Sequence, residues 1–87
     1  MLESFVGKDV VIDLGSPFVC MGRLRGVDEH FLELHDADLH DLRDTSTTRE
    51  NYVAAAVATG IKRNRKRVLV SRRDIVAIAA LRDVVGE

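Results

Sequence analysis

The sequence is poor in several residue types, and each shortage excludes a class of protein. Cys20 is the only cysteine among 87 residues, so an internal disulfide and a cysteine metal cluster are both excluded. With one proline, few aromatic residues and 46% hydrophobic residues, the composition is that of a globular chain. We therefore expect an intracellular protein in a reducing compartment, with the cytoplasm as its location.

Long hydrophobic runs are also missing. The longest apolar stretch lies near residues 53–61 and is too short to span a bilayer. Residues 1–15 lack the basic start and apolar run of a signal peptide. No membrane partner is expected.

Charge is balanced overall but unevenly distributed. The net charge is −1, which by itself implies no polyanionic partner. Acidic residues are concentrated between Asp28 and Asp44, whereas a later basic block comprises Lys62, Arg63, Arg65, Lys66, Arg67, Arg72 and Arg73. The segment from Lys62 to Arg67 is therefore a candidate for phosphate contacts, and an acidic surface on another copy of the chain is the alternative partner.

Periodicity predicts a mainly β fold with five strands in one domain, residues 1–87. Alternating and β-branched residues place the strands at 9–14, 18–27, 31–39, 67–71 and 75–81. Val10, Ile12 and Leu14 share one face of the first strand, and Leu32 and Leu34 are expected to face inward from the third. The last strand is apolar almost throughout, which suits a strand covered on both sides, and a second subunit is the simplest second cover.

Two glycines predict a strong bend. Gly22 and Gly26 lie on the same face of the long second strand, where glycine destabilises a strand unless it bends or another backbone approaches closely. The expected architecture is therefore a small, strongly bent antiparallel barrel of the SH3-like kind.

An insertion of about residues 44–65 separates the third and fourth strands, and it contains a predicted helix near 48–59. Thr47 and Glu50 have capping-box spacing, and Gly60 is expected to end the helix in the left-handed conformation. The helix is expected to pack through Tyr52 and Val53, together with Val57 and Ile61.

The ordered motifs resemble the Sm/LSm family, as a bacterial-type member with a helical insertion. The first motif comprises Gly7, Val10, Ile12, Leu14, Gly22, Leu24 and Asp28. The second comprises the apolar strand 68–70, the polar corner 71–74 and the apolar segment 75–78. Together the motifs cover about residues 2–36 and 66–81.

The resemblance implies a homo-oligomeric ring of five to eight subunits that binds single-stranded, uridine- or adenine-rich RNA around its pore. In the family, the edge of the fourth strand joins the fifth strand of the next subunit, which implies interface residues Val68, Val70, Ile75 and Ala77. Two loops of the family carry the RNA site, which implies stacking by His30 and Phe31 and cationic contacts from Arg72 and Arg73. The sequence departs from the family pattern at two positions, because Leu32 replaces an Asn and Ser71-Arg72 replaces Arg-Gly.

A second hypothesis keeps the fold without RNA binding. The two departures and the near-neutral charge favour a scaffold or protein-interaction module, with the inserted helix as its docking surface. His30, His35 and His40 are interpreted as surface residues rather than metal ligands, and Tyr52 as the anchor of the helix. No catalytic arrangement, cofactor, metal or small-molecule substrate is predicted.

Overall fold

The alternation of apolar residues folds into one antiparallel sheet. The computed structural model describes residues 1–85, and the sheet order is β4-β3-β2-β1-β5. The strands are β1 (Asp9–Leu14), β2 (Phe18–Val27), β3 (Phe31–Asp41), β4 (Arg65–Ser71) and β5 (Ile75–Ala80). The predicted fold class is confirmed: residues 1–85 are mainly β, with five antiparallel strands and one α-helix. The last two strands in sequence form the two edges of the sheet.

One face of the sheet, the inner face, encloses the main core. Val10, Ile12 and Leu14 lie in this core with Leu32 and Leu34, as their alternation predicts. Cys20 is also fully buried there. Burial and the charge of Asp38 raise the pKa of the Cys20 thiol to about 12, so the thiol is not reactive at neutral pH.

The bend of the sheet comes from an irregularity between β2 and β3. Met21 is opposite Asp38 and Arg23 is opposite His35, so β3 has one extra residue in this interval. A Cβ atom on Gly22 would lie 2.9 Å from Cβ of Ala37 and 3.0 Å from its Cα. Only glycine allows the two strands to approach this closely.

Gly26 has a different environment from Gly22. The pairing of β2 with β3 is also irregular between Leu24 and Gly26, but a Cβ atom on Gly26 would meet nothing nearer than Oε1 of Glu33 at 3.8 Å. Both glycines lie at irregularities, and only Gly22 is sterically required. The prediction that they share a face is wrong, because Gly22 lies opposite Val10 of the inner face and Gly26 lies opposite the outward-facing Glu33.

Helix α1 (Arg49–Thr59) packs on the outer face of the sheet, the side opposite the main core. Its start differs from the prediction: the Oγ1 of Thr48 accepts a hydrogen bond from the N–H of Asn51, so the predicted pair of Thr47 and Glu50 is not the cap. Gly60 ends the helix with φ 94° and ψ 162°, which is positive in φ but not the left-handed helical conformation that we predicted.

The buried stripe of α1 forms a second, smaller core. Val53 and Ala56 pack against Val11, Val19 and Met21 of the outer face. Ile61 is partly buried in the same cluster, and Val57, which was expected to pack there, is 46% exposed. No helix of the described chain is long and apolar enough to cross a membrane.

Tyr52 anchors the helix to β3, as expected. Its hydroxyl donates to Oδ2 of Asp38 at 2.5 Å, and its ring stacks on His40 with a centroid separation of 4.1 Å. The amide of Asn64 donates to Oδ1 of Asp38 at 3.1 Å. Because Asp38 is only 2% exposed, both of these donors are needed to compensate the burial of its carboxylate.

Candidate nucleic-acid interface

The sheet topology brings together the two loops that the resemblance implicates. We call them the 28–31 loop, between β2 and β3, and the 71–74 corner, between β4 and β5. Since β3 and β4 are neighbours, Phe31 lies opposite Ser71. The backbone N–H of Arg72 donates to the carbonyl of His30 at 2.9 Å, and Nη1 of Arg72 donates to the carbonyl of Asp28 at 2.6 Å. Arg72 thus joins the two loops.

Asp28 determines the shape of the 28–31 loop. Its Oδ1 accepts from the backbone N–H of His30 at 2.8 Å and from that of Phe31 at 2.7 Å. These two hydrogen bonds hold the pKa of the Asp28 carboxyl below its usual value, because they stabilise the ionised form. The carboxylate therefore orders the residues that follow it.

The ordered loop presents its side chains to solvent. The side chain of His30 is 75% exposed, and Phe31 is 43% exposed. Exposed imidazole and phenyl rings on adjacent residues of an ordered turn are surfaces on which bases can stack. Arg73 is also exposed and has no ion-pair partner within residues 1–85.

The basic segment, residues 62–67, lies at the other end of β4. Arg65, the first residue of this seven-residue strand, is about 20 Å from Ser71, so the start of the segment is distant from the 71–74 corner. Arg67, further along β4, lines a groove with Asp28 and Phe31 of the 28–31 loop. Arg63 pairs with Asp36 at 2.5 Å, and Arg67 pairs with Glu33 at 2.8 Å. In the part of the chain that the structure describes, the cations of this segment without a carboxylate partner are Lys62, Arg65 and Lys66.

Leu32, where the resemblance predicts the family's Asn, has no access to a ligand. Leu32 is 0% exposed and packs in the main core, between the exposed Phe31 and the half-buried Glu33. The 28–31 loop therefore has exposed ring surfaces but no amide side chain.

The interface residues expected on the two edge strands have different environments. Val70 is 6% exposed and lies in the main core, and Val68 and Ile75 are partly buried against that core. Ala77 is exposed. The side chains of Val68 and Val70 thus pack within their own subunit.

The backbone of β4 shows which residues face its free edge. Since the N–H of Arg72 donates to the carbonyl of His30, the pair Phe31–Ser71 is of the non-hydrogen-bonded kind. The next pair, Leu32–Val70, is then of the hydrogen-bonded kind, and the two kinds alternate along the ladder. The N–H and C=O groups of Leu69 therefore point away from β3, toward the free edge.

The comparison with solved structures agrees with this geometry. One match is the Sm protein of Pyrococcus abyssii in complex with a uridine heptamer, with a TM-score of 0.62 over 91% of this chain and 90% of that chain. The chain has an Sm-like fold. Sequence identity to that Sm protein is 21%, and neither a family model nor a curated protein matches the sequence.

The sequence analysis missed two features of the Sm-like chain. The hydrogen bonds that Asp28 accepts in the turn could have been predicted from the sequence. An Asp before a short polar turn commonly accepts a hydrogen bond from the backbone N–H two residues later. The buried contact of Asp38 with Tyr52 and Asn64 had no such signal, because 26 residues separate Asp38 from Asn64.

Proposed function

We propose that this chain forms a homo-oligomeric Sm-like ring of five to eight subunits that binds single-stranded RNA and catalyses no reaction. The observation that carries the proposal is the joining of the 28–31 loop and the 71–74 corner by Arg72. The uridine heptamer in the complex of the Pyrococcus Sm protein supports single-stranded RNA as the class of ligand.

His30 and Phe31 are the proposed stacking residues, and Arg72 and Arg73 are the proposed phosphate contacts. Stacking and phosphate contacts give affinity with little sequence information, because every base has a π-face and every nucleotide a phosphate. The burial of Leu32 supports weak discrimination between bases. We therefore expect similar affinities for oligo-U and oligo-A.

Lys62, Arg63, Arg65, Lys66 and Arg67 form a proposed second set of phosphate contacts. Arg63 and Arg67 already pair with carboxylates of their own chain, so their share of the binding free energy is expected to be small. Lys62, Arg65 and Lys66 are expected to contribute most of this second set.

Fluorescence anisotropy with labelled oligo-U and oligo-A, measured over a series of salt concentrations, tests the proposal. We expect a micromolar or lower Kd at low salt and a linear fall of log K with log salt concentration, because bound phosphates release counterions. Substituting Phe31→Ala or Arg73→Ala should weaken binding about tenfold, which corresponds to about 1.4 kcal/mol.

Arg43→Ala is the matched control. Arg43 pairs with Asp41 at the far end of β3 from the 28–31 loop, so its loss should leave the RNA affinity unchanged. Absence of binding to both oligonucleotides at low salt would overturn the proposal.

A second candidate function is a ring that serves as a protein scaffold, and the burial of Leu32 is the observation that favours it. The exposed side of α1 contains Asn51, Ala55 and Ala58, which leaves it free for a partner. Native mass spectrometry with and without oligo-U separates the two functions. A ring that retains no RNA would support the scaffold function, and a ring that retains RNA would support RNA binding.

A further inference from the structure

Three exposed apolar side chains lie beside the two free edges of the sheet. Leu69 on β4 is 46% exposed and Val76 on β5 is 70% exposed. Val57 on α1, also 46% exposed, lines a groove with Ala80 and Leu81 at the end of β5. Apolar side chains next to an unpaired strand edge are a typical site of association.

The position of α1 explains why Val57 lies beside β5. Ala79 is opposite Val11, so both residues are on the outer face, on which the helix packs. Tyr52 and Val57 are on opposite sides of the buried stripe of Val53 and Ala56, since successive helical residues are 100° apart. Tyr52 contacts β3, and Val57 therefore lies on the side of the helix toward β5.

The outer face of β4 contains the complementary side chains. Because Val68 and Val70 face the main core, their alternating neighbours Arg65, Arg67 and Leu69 face outward. In the proposed ring, β4 of one subunit pairs with the free edge of β5 of the next subunit and keeps its core-facing side inward. These three side chains would then lie next to α1 of that next subunit.

We propose that α1 forms part of the contact between subunits, with Val57 of one copy packing against Leu69 and the arginine stems of the next copy. This inference rests on the proposed ring and assigns the inserted helix a position within it. Arginine stems cover apolar surface while their guanidinium groups reach solvent or an acid. Asp9 is the acid that lines the groove; its side chain is 46% exposed and pairs with Arg23 at 3.3 Å, and Lys8 and Arg82 line the same groove.

A charge at position 57 tests the contact. Val57→Lys removes an apolar contact and places a cation beside Arg65 and Arg67 of the neighbour, whereas lysine is well tolerated in a helix. We expect the concentration at which half of the rings dissociate, measured by native mass spectrometry on dilution, to rise about tenfold or more. Circular dichroism and thermal unfolding report whether the variant is folded.

Ala58→Lys is the matched control. Ala58 is exposed on the outward side of the same helix, so this variant should assemble like the wild type. Equal assembly of the Val57→Lys and Ala58→Lys variants would overturn the contact while leaving the ring intact. A monomeric wild-type protein would overturn the proposed ring itself, so the two failures are distinguishable.

Cross-linking provides a readout that does not depend on ring stability. Cys20 is fully buried, so an introduced cysteine is the reactive thiol of the chain. A tagged Val57→Cys chain mixed with an untagged Leu69→Cys chain should form a mixed disulfide under mild oxidation. The pair Ala58→Cys and Leu69→Cys should not, and equal yields from both pairs would overturn the inference.

Discussion

At the residue scale, a few side chains determine the shape of this small sheet. Gly22 allows the close approach of β2 and β3, and Asp28 fixes the turn that presents His30 and Phe31. The sequence indicated the importance of both residues. It did not distinguish the required Gly22 from the replaceable Gly26, because that distinction depends on which atoms of β3 lie opposite.

Gly22→Ala should destabilise the fold by about 1–3 kcal/mol, since the new Cβ would lie 3.0 Å or less from Cβ and Cα of Ala37, and a backbone atom cannot rotate away. The free energy of unfolding in urea measures this loss. Gly26→Ala is the control and should change stability by less than about 1 kcal/mol, because the added methyl group has space and reduces the freedom of the unfolded chain. If both variants lose the same free energy of unfolding, steric contact at Gly22 is not the cause of the destabilisation.

The order of the 28–31 loop should depend on pH. The pKa of Asp28 in the folded protein is lowered from its ordinary value of 3.8. Above the pKa of the unfolded chain, the carboxylate is ionised and contributes fully to the stability of the loop. This contribution is lost as the pH falls through the lowered pKa of the folded state. The amide chemical shifts of His30 and Phe31 should therefore titrate with a midpoint below 3.8. In the Asp28→Asn variant this titration should be absent, and its persistence would assign it to another carboxyl group.

At the scale of secondary-structure elements, periodicity identified every strand and the helix and gave both ends of β1 and β2, but it misplaced one end of each later strand and of the helix. β3 continues to Asp41 and β4 begins at Arg65, because pairing with neighbouring strands extends both beyond their apolar cores. The helix cap is a similar case. Thr47 and Thr48 are equivalent in the sequence, and only the backbone geometry at the helix start selects Thr48.

Thr48→Ala should destabilise the protein by about 1 kcal/mol, because the N–H of Asn51 loses its acceptor. Thermal or urea unfolding, followed by circular dichroism, measures the effect. Thr47→Ala should have little effect, since the adjacent hydroxyl is not the cap. If Thr47→Ala lowers the stability more than Thr48→Ala does, the capping box of Thr47 and Glu50 is the correct cap.

At the scale of the whole molecule, the open question is what pairs with the two sheet edges. β4 and β5 each have one strand neighbour, so the chain offers an unpaired backbone ladder on both sides. The proposed ring would remove both edges, since the edge of one copy completes that of the next. The start of the basic segment, residues 62–65, and the 71–74 corner would then be two zones of positive charge at opposite ends of β4 in each subunit.

Leu69→Pro should separate folding from assembly. The N–H of Leu69 points to the free edge, so proline at this position removes no hydrogen bond within the subunit but blocks pairing with another strand. We expect a folded chain that is monomeric in native mass spectrometry. Val68→Pro should instead disrupt β4 itself, and a Leu69→Pro variant that still forms the ring would exclude the β4 edge as the contact.

The sequence by itself determined the inward face of β1 and of the first half of β3, the irregularity at Gly22 and the presence of the inserted helix. These features follow from local periodicity and from the backbone freedom of glycine, which depend on neighbouring residues along the chain. The tertiary structure decided that Arg72 joins the two loops, that Leu32 is buried, and that Arg67 of the basic segment lines a groove with Phe31. These facts depend on which distant residues the sheet register places side by side, and a pattern within one strand does not contain that information.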